Sequence, residues 1–507
     1  MKICERYHLL SSERQHALDL GRRISAISDP GLMPLDRDNP LLNPPHQGVN
    51  AACVHELSAK FTLAMFPPDI PFFRLQTELA ANLPAEEKSQ LESELARAEL
   101  EISRYFESTN LRTLLGRANA QIIGAGPCVI SLLDEGNFQL FELDQMVWFK
   151  RANGDIIEYI LHAEEPYAAI LEDYPQIVDE QNPLWENSRL WAETAQSRGI
   201  NLYTRVWLEA GKWHSVQEWE LRDMGPEMAV EVPDSRQVHR TCPLIPFEFS
   251  AVDGVTYGHP YAHRFWGDMN YLEVVWKSLK QTTALVAQAR LLVNPAGVTR
   301  KTALVSADNG AVVDGREEDI SILSFSEKLG DFQWLAQVAA TMENRLDRAF
   351  LRAQSVQRPG ERVTAEEIRR LADDLERAFG GAYADAARRV QVPLVRRLID
   401  LLVEAKRLPK NFLKLSVSIV TGIDALGRSA EIQRIQLAVM TLAQMGLGEV
   451  LAQRLNLPVL IRRVFMASGL ADTDLVLTEE QFMEAQMAAQ AQQAIPGLLQ
   501  QQAQPNA

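Results

Sequence analysis

Two long segments with apolar residues at three- and four-residue steps, and aromatic-rich runs paired around Asn-Gly and Ala-Gly turns, predict an α+β chain that is predominantly helical. The first helical segment spans about His263 to Arg290, with Phe265, Met269, Leu272, Trp276, Leu279, Thr283 and Val286 in rhythm. The return segment spans about Asp331 to Gln354 through Leu335, Val338, Met342, Leu346, Ala349 and Ala353. At about 1.5 Å per residue each helix is on the order of 35–40 Å long. Both stripes are narrow, and the opposite faces carry Lys277, Lys280, Arg345, Asp347, Arg348 and Arg352. So slim a pair buries little by itself, and its flanks are expected to pack against copies of the same pair.

The remaining elements follow in order. An amphipathic helix is expected over about Ser12 to Ser28, then an extended arm through Pro30, Pro34, Pro40, Pro44 and Pro45. Residues 49–66 read as a helix with Ala51, His55, Leu57, Leu63 and Phe66 inward, stopped by Pro67-Pro68. Helices are expected over 84–110 and 111–123, and strands over 125–133 and 138–149. Asn153-Gly154 signals a hairpin between Val147–Phe149 and Ile156–Ile160, and Ala210-Gly211 joins Leu202–Leu208 to Trp213–Trp219. Residues 165–200 are polar and irregular. The stretch 291–330 scatters Val293, Val298, Val305, Val312, Ile320 and Ile322 among glycine turns, a small β unit too short to fold alone.

Beyond the return helix, Pro359-Gly360 forces a turn. Thr364 and Glu367 then form a capping box, with Val363 and Ile368 placed as a hydrophobic staple. The stripe Ile368, Leu371, Leu375, Phe379, Ala382, Ala386, Val390, Leu394, Leu398 and Leu401 predicts a helix of about 40 residues, kinked at Gly380-Gly381 and Pro393. After Arg407 the chain is mixed. Leu415–Val420 is strand-like, helices are expected near 431–445, 448–454 and 458–468, and Thr478 to Gln481 makes another capping box. Residues 488–507 are Ala/Gln-rich with almost no charge, which makes partial disorder the expectation.

Composition narrows the function. Hydrophobic residues at 46% and charged residues at 23% are ordinary for a soluble globular protein, and no run of about 18 apolar residues is long enough to span a membrane. The start, Met1 to Arg6, lacks the apolar core of a signal peptide. Cys4, Cys53, Cys128 and Cys242 are far apart, without metal-ligand spacing, so buried thiols in a reducing cytoplasm are the plain reading. With 51 basic against 67 acidic residues the net charge is −16, which argues against a protein gripping nucleic acid over a wide face.

Several motifs then converge on one family. Asn294 to Val298, Asp314 to Ile320, and Gln357 to Arg369 together resemble the head–tail connector (portal) proteins of short-tailed phages. Tyr257-Gly258, Gly267-Asp268, Pro393 to Arg396, Leu477 to Gln481, Leu57 to Lys60 and Leu63 to Pro67 add to the likeness, which covers most of 45–485 in family order. The resemblance implies a ring, usually of twelve subunits, at one capsid vertex, with double-stranded DNA passing sequence-independently through its centre. It implies an N-terminal helix and arm over 1–45, a wing over 46–262, and a first stem helix over 263–290. A clip follows over 291–330, then a second stem helix over 331–353 and a channel loop over 354–363. The rest is a long kinked wing helix over 364–407, crown helices over 408–487 and the tail 488–507. The implied partners are the major capsid and scaffolding proteins, a terminase packaging motor, a tail adaptor and internal core proteins, with assembly in the host cytoplasm and no membrane. The implied lining is Arg358, Glu361 and Arg362 in the loop and Lys277, Lys280, Arg345, Arg348 and Arg352 on the stem, with Arg300, Lys301 and Arg316 as clip contacts.

Catalytic signatures are weak. Gly297 to Thr302 holds a Lys-Thr pair without the spacer of a phosphate-binding loop, so ATP hydrolysis is expected in a separate protein. His55-Glu56 lacks a second histidine for zinc. No cofactor or metal is expected. The alternatives are a virion scaffold or adaptor without a conducting channel, and a two-metal nuclease built on Glu317-Glu318-Asp319. The bland reading of that cluster is a solvated or intersubunit charged face, and the arginines of the loop equally suit salt bridges to Glu361 or Glu366.

Overall fold

The computed structural model describes residues 1–34, 44–68, 72–77, 85–133, 136–166, 199–221, 229–249, 255–287, 290–306, 311–323, 329–352, 365–379, 382–413, 417–421 and three helical positions, 440, 441 and 444. Helices α1 (Ile3–Ile27), α2 (Val49–Met65), α3 (Ala85–Ser108) and α4 (Leu111–Gly124) precede most of the strands. Helix α1 begins well before Ser12, because Ile3, Cys4, Tyr7 and Leu10 continue the apolar stripe and are buried. Its first amides are held by Glu218, whose carboxylate accepts from Ile3 N at 3.0 Å and Cys4 N at 3.2 Å, a favourable charge at a helix N-terminus. Helix α2 buries Cys53, Val54, Leu57, Phe61 and Phe66. His55 lies on its other face, exposed and 2.7 Å from Asp29, so the inward placement expected for it is wrong.

Strand β1 (Phe73–Thr77), not foreseen, pairs antiparallel with β13 (Val417–Thr421), tying two stretches far apart in sequence. A three-stranded sheet orders β10 (Leu244–Phe247), β2 (Cys128–Ser131) and β3 (Gln139–Phe141). The long strand expected over 138–149 is therefore two. A 3-10 turn at Leu143–Gln145, closed by reciprocal bonds between Glu142 and Gln145, swings the chain from β3 into β4 (Met146–Lys150) of another sheet. That larger sheet runs β4, β5 (Ile156–Pro166), β6 (Gly199–Glu209), β7 (Lys212–Leu221), with β8 (Val230–Glu231) and β9 (Gln237–His239) both on β7. Both foreseen hairpins form in the expected register, Val147 opposite Ile160 and Leu208 opposite Trp213. The second turns on Ala210 (φ 50°) and Gly211 (φ 77°), the two positive φ values of a type I′ turn. Residues 167–198 of the expected polar excursion lie outside the described residues.

Helix α5 (Trp266–Ala287) and helix α7 (Leu329–Ala349) form the antiparallel pair. Between them lie β11 (Arg290–Val293), the short helix α6 (Lys301–Ser306), a 3-10 turn and β12 (Ile320–Leu323). Arg290 is thus on a strand, paired with Leu323, and the insert is not purely β. The first stripe holds at Met269 and Leu272, which are buried, but Val275 takes the next inward place while Trp276 is partly exposed with its Nε1 donating to Glu343 at 3.0 Å. The long helix is instead α8 (Ala365–Phe379) and α9 (Ala382–Glu404), and α9 continues through Pro393. Residues 380–381, Val363, Thr364 and the helices expected beyond 430 lie outside the described residues, save the three helical positions named above. One apolar core joins the second half of α1, α2, α4, the three-stranded sheet, the base of the α5/α7 pair, α8 and α9. A smaller cluster packs the first half of α1 on the larger sheet.

Candidate functional site: a two-helix projection and its base

The tip is locked by the motifs singled out in the sequence. Asp319 Oδ2 accepts from Val298 N at 2.8 Å, Thr299 N at 3.1 Å and Thr299 Oγ1 at 3.0 Å, and Arg316 N donates to Thr299 Oγ1 at 2.9 Å. A Cβ on Gly297 would meet Asp319 Oδ1 at 2.2 Å, and one on Gly315 would meet Thr299 Oγ1 at 2.6 Å, so each loop needs a glycine. The donors from Thr299 lead those that hold the Asp319 carboxyl below its usual range. Asp319 is therefore a loop fastener, and among the described residues no three His, Cys, Asp or Glu side chains converge as metal ligands. Arg300, Lys301 and Arg316 are exposed around this interlock.

Along the pair, Lys277 and Lys280 are exposed on α5, and Arg345 and Arg348 are exposed on α7. Arg345 Nε lies 3.1 Å from Asp268 of the same chain. Apolar groups are exposed beside them: Tyr271 (44%), Val274 (51%) and Trp276 (37%) on α5, and Trp334 (60%) on α7. On the insert, Leu292, Val298, Val305 and Val312 are exposed. Arg358, Glu361 and Arg362 lie outside the described residues.

At the base the second helix ends sooner than its stripe predicted. Leu351 takes φ 58°, a left-handed conformation at the position where helices usually place glycine. With no Gly or Pro there, the stop carried no signal. Arg352 follows the helix and turns back, its Nε 3.1 Å from Glu56 and its Nη1 2.6 Å from Asp347. It is half-buried, not among the exposed cations of the pair. Tyr261 OH donates to Ala349 O at 2.8 Å, and its ring meets Phe265, Phe350 and Phe379 at 5.0–5.3 Å. Glu56 and Asp347, which hold Arg352, were not foreseen as site residues. The Leu57–Lys60 motif was the available signal, but sequence could not name its partners.

The cysteines are free; Cys4, Cys53 and Cys128 are buried and Cys242 is partly so. Burial pushes the Cys53 thiol up to about 12, so at neutral pH it is not a thiolate nucleophile. An open cleft of about 360 Å³ lies between α2, α4 and residues 31–32, with His55, Arg112, Arg117 and Glu142 on its walls. Arg112 is committed to Glu107 and to the Phe66 carbonyl at 2.7 Å.

These features define an α+β chain in which most of the exposed large apolar side chains among the described residues lie on a pair of helices and its interlocked tip. The chain belongs to the bacteriophage head to tail connecting protein family, whose model matches residues 2–476. It is 30% identical over 513 residues to the portal protein of Escherichia phage T7, covering 96% of this chain and 90% of the relative. It is 28% identical to the portal protein of Enterobacteria phage T3, with the same coverage, and 25% identical to that of Enterobacteria phage SP6, covering 86% of this chain and 82% of the relative.

Proposed function

We propose that copies of this chain assemble into the portal ring at a unique capsid vertex. The ring admits DNA during packaging, retains the packed genome and lets it leave at ejection. Its role is structural, and the chemistry of packaging belongs to a separate motor. The observation that carries this reading is the exposed Tyr271, Val274, Trp276 and Trp334 on the helix pair. Large apolar side chains left in water along a helix pair suit a protein interface, and identical copies arranged round an axis would cover them. Membership of the connector family and the portal relatives support the same reading. Electron micrographs of the negatively stained, purified protein should show rings with a central hole, from which the copy number is read directly. Compact monomers at high concentration would overturn the proposal.

In such a ring Lys277, Lys280, Arg345 and Arg348 are the proposed lining of the stem, giving transient phosphate contacts without base reading. The overall charge of −16 leaves most of the wall repulsive to DNA, so the strand slides. Arg300, Lys301 and Arg316 are proposed contacts at the outer end, where motor and tail adaptor dock in turn. Arg358, Glu361 and Arg362 are proposed to narrow the channel after filling, on the sequence grounds of a Pro-Gly turn set among charges. Replacing Arg358 and Arg362 with alanine should leave rings intact and lower the fraction of DNA retained in filled heads. Unchanged packaging and retention would discard that gate.

A further inference from the structure

We infer that Glu56 and Lys60 of α2 are positioning residues for the channel, fixing the end of α7 at Leu351 and Arg352. The inference rests on the portal reading and goes beyond it, because α2 lies in the α+β body and not on the projecting pair. Lys60 is 8% exposed, and its ammonium donates to the carbonyl of Leu351, the residue held at φ 58°. Helix α7 closes with Phe350 N donating to Leu346 O at 2.8 Å and Leu351 N to Arg348 O at 3.2 Å. The carbonyl beyond those bonds points into the protein and is met by a buried cation. Burial lowers the Lys60 pKa, the sign of an ammonium kept where water would suit it better.

One turn earlier on the same face of α2, Glu56 binds Arg352, the next residue of the exit. Cys53, a further turn back, is fully buried close to Arg352. The three side chains at i, i+3 and i+7 thus form one track on which the end of α7 rests. Helix α8 packs on the same helix. Phe61 of α2 meets Phe379 of α8 edge to face at 5.2 Å, Ile368 of α8 is fully buried, and Asp374 of α8 acts electrostatically on Lys60. A single helix therefore meets both the end of α7 and the body of α8. A buried ammonium is a poor choice for stability alone, since its desolvation offsets most of what it gains. It does specify one position for the carbonyl it binds.

The test uses assembled rings of the full chain carrying Lys60→Met, Lys60→Arg or Glu56→Gln. Hydrogen–deuterium exchange is read at amides 346–352 and at the 202–219 hairpin, and DNA retention is read in filled heads challenged with nuclease. Lys60→Met and Glu56→Gln should speed exchange at 346–352 by about tenfold, leave the hairpin unchanged and lower retention. Lys60→Arg should restore both readouts. Unchanged exchange at 346–352, or equal acceleration in the hairpin, overturns the inference; so does faster local exchange with normal retention. If Lys60→Met rings do not assemble, Glu56→Gln decides on the same criteria. Failure of the wild-type chain to form holed rings would instead sink the portal reading itself, before any variant is compared.

Discussion

Arg14 shows how much of this protein is decided by single polar side chains that sequence reading places on the wrong side. A surface arginine by its type, it is 7% exposed and its Nη1 donates to Tyr7 OH at 3.0 Å, Leu143 O at 2.9 Å and Met146 O at 2.8 Å. It therefore ties α1 to the chain entering β4. Arg397 is similar, 1% exposed and donating to the Leu132 carbonyl at 3.2–3.3 Å. The apolar residues of the core were readable from periodicity; these buried cations were not, because the carbonyls they meet lie more than a hundred residues away. His239 permits a quantitative prediction. It is buried beside Ser215 Oγ at 2.9 Å, and burial, then Arg397, then His214 push its pKa down to about 4. The unfolded chain takes up the proton near the ordinary 6.5, whereas the folded protein resists it until about 4. Stability from this site is therefore complete above pH 6.5 and is lost as pH falls toward 4. Between pH 7 and 5 the loss is roughly 1–2 kcal/mol. His239→Gln, which can keep the bond to Ser215, should show a smaller fall in melting temperature over that interval than wild type. An identical fall would mean that other groups carry the acid sensitivity.

At the scale of elements, legibility followed the range of the forces. The hairpins β4–β5 and β6–β7 were foreseen because alternation and turn chemistry act within about 20 residues. The pairing of β1 with β13 was not: Leu415–Val420 read as strand-like, but Phe73–Thr77 carries little pattern alone, and nothing local names the partner of either. The two helices of the projecting pair were foreseen in existence and direction. Their inner faces were less exact, because Val274, Val275 and Trp276 are all apolar and only the packing shows that Val275 is buried. The end of α7 was missed for want of a glycine, as Leu351 adopts the left-handed turn unaided by its type. The β6–β7 turn offers the converse case, an exposed Ala210 at φ 50° where asparagine is better suited. Ala210→Asn should stabilise the hairpin by about 0.5–1 kcal/mol, seen as a higher denaturation midpoint with the same slope. A lower midpoint would show that the turn relies on a contact of the alanine methyl.

For the whole molecule, the question is what covers the projecting pair. Helices α5 and α7 bury Met269, Leu272, Val275, Ala339 and Leu346, but this inner seam leaves Tyr271, Val274 and Trp334 largely in water. A monomer gains nothing from three such residues along so thin a pair, whereas the proposed ring would bury them in every subunit interface. Aromatic anchors of this kind carry a disproportionate share of interface energy, about 2 kcal/mol or more when truncated at a packed contact. Because each subunit has two neighbours, the cost recurs at every junction and assembly should fail sharply. The double variant Val274→Asp, Trp334→Asp should therefore run as a folded monomer or small oligomer in native mass measurement. Its far-ultraviolet circular dichroism should match wild type, since neither side chain belongs to the core. The single variant Tyr271→Ala should assemble only at higher protein concentration. Intact rings from the double variant would show that the insert or the α+β body, and not the helix pair, carries the contact between copies.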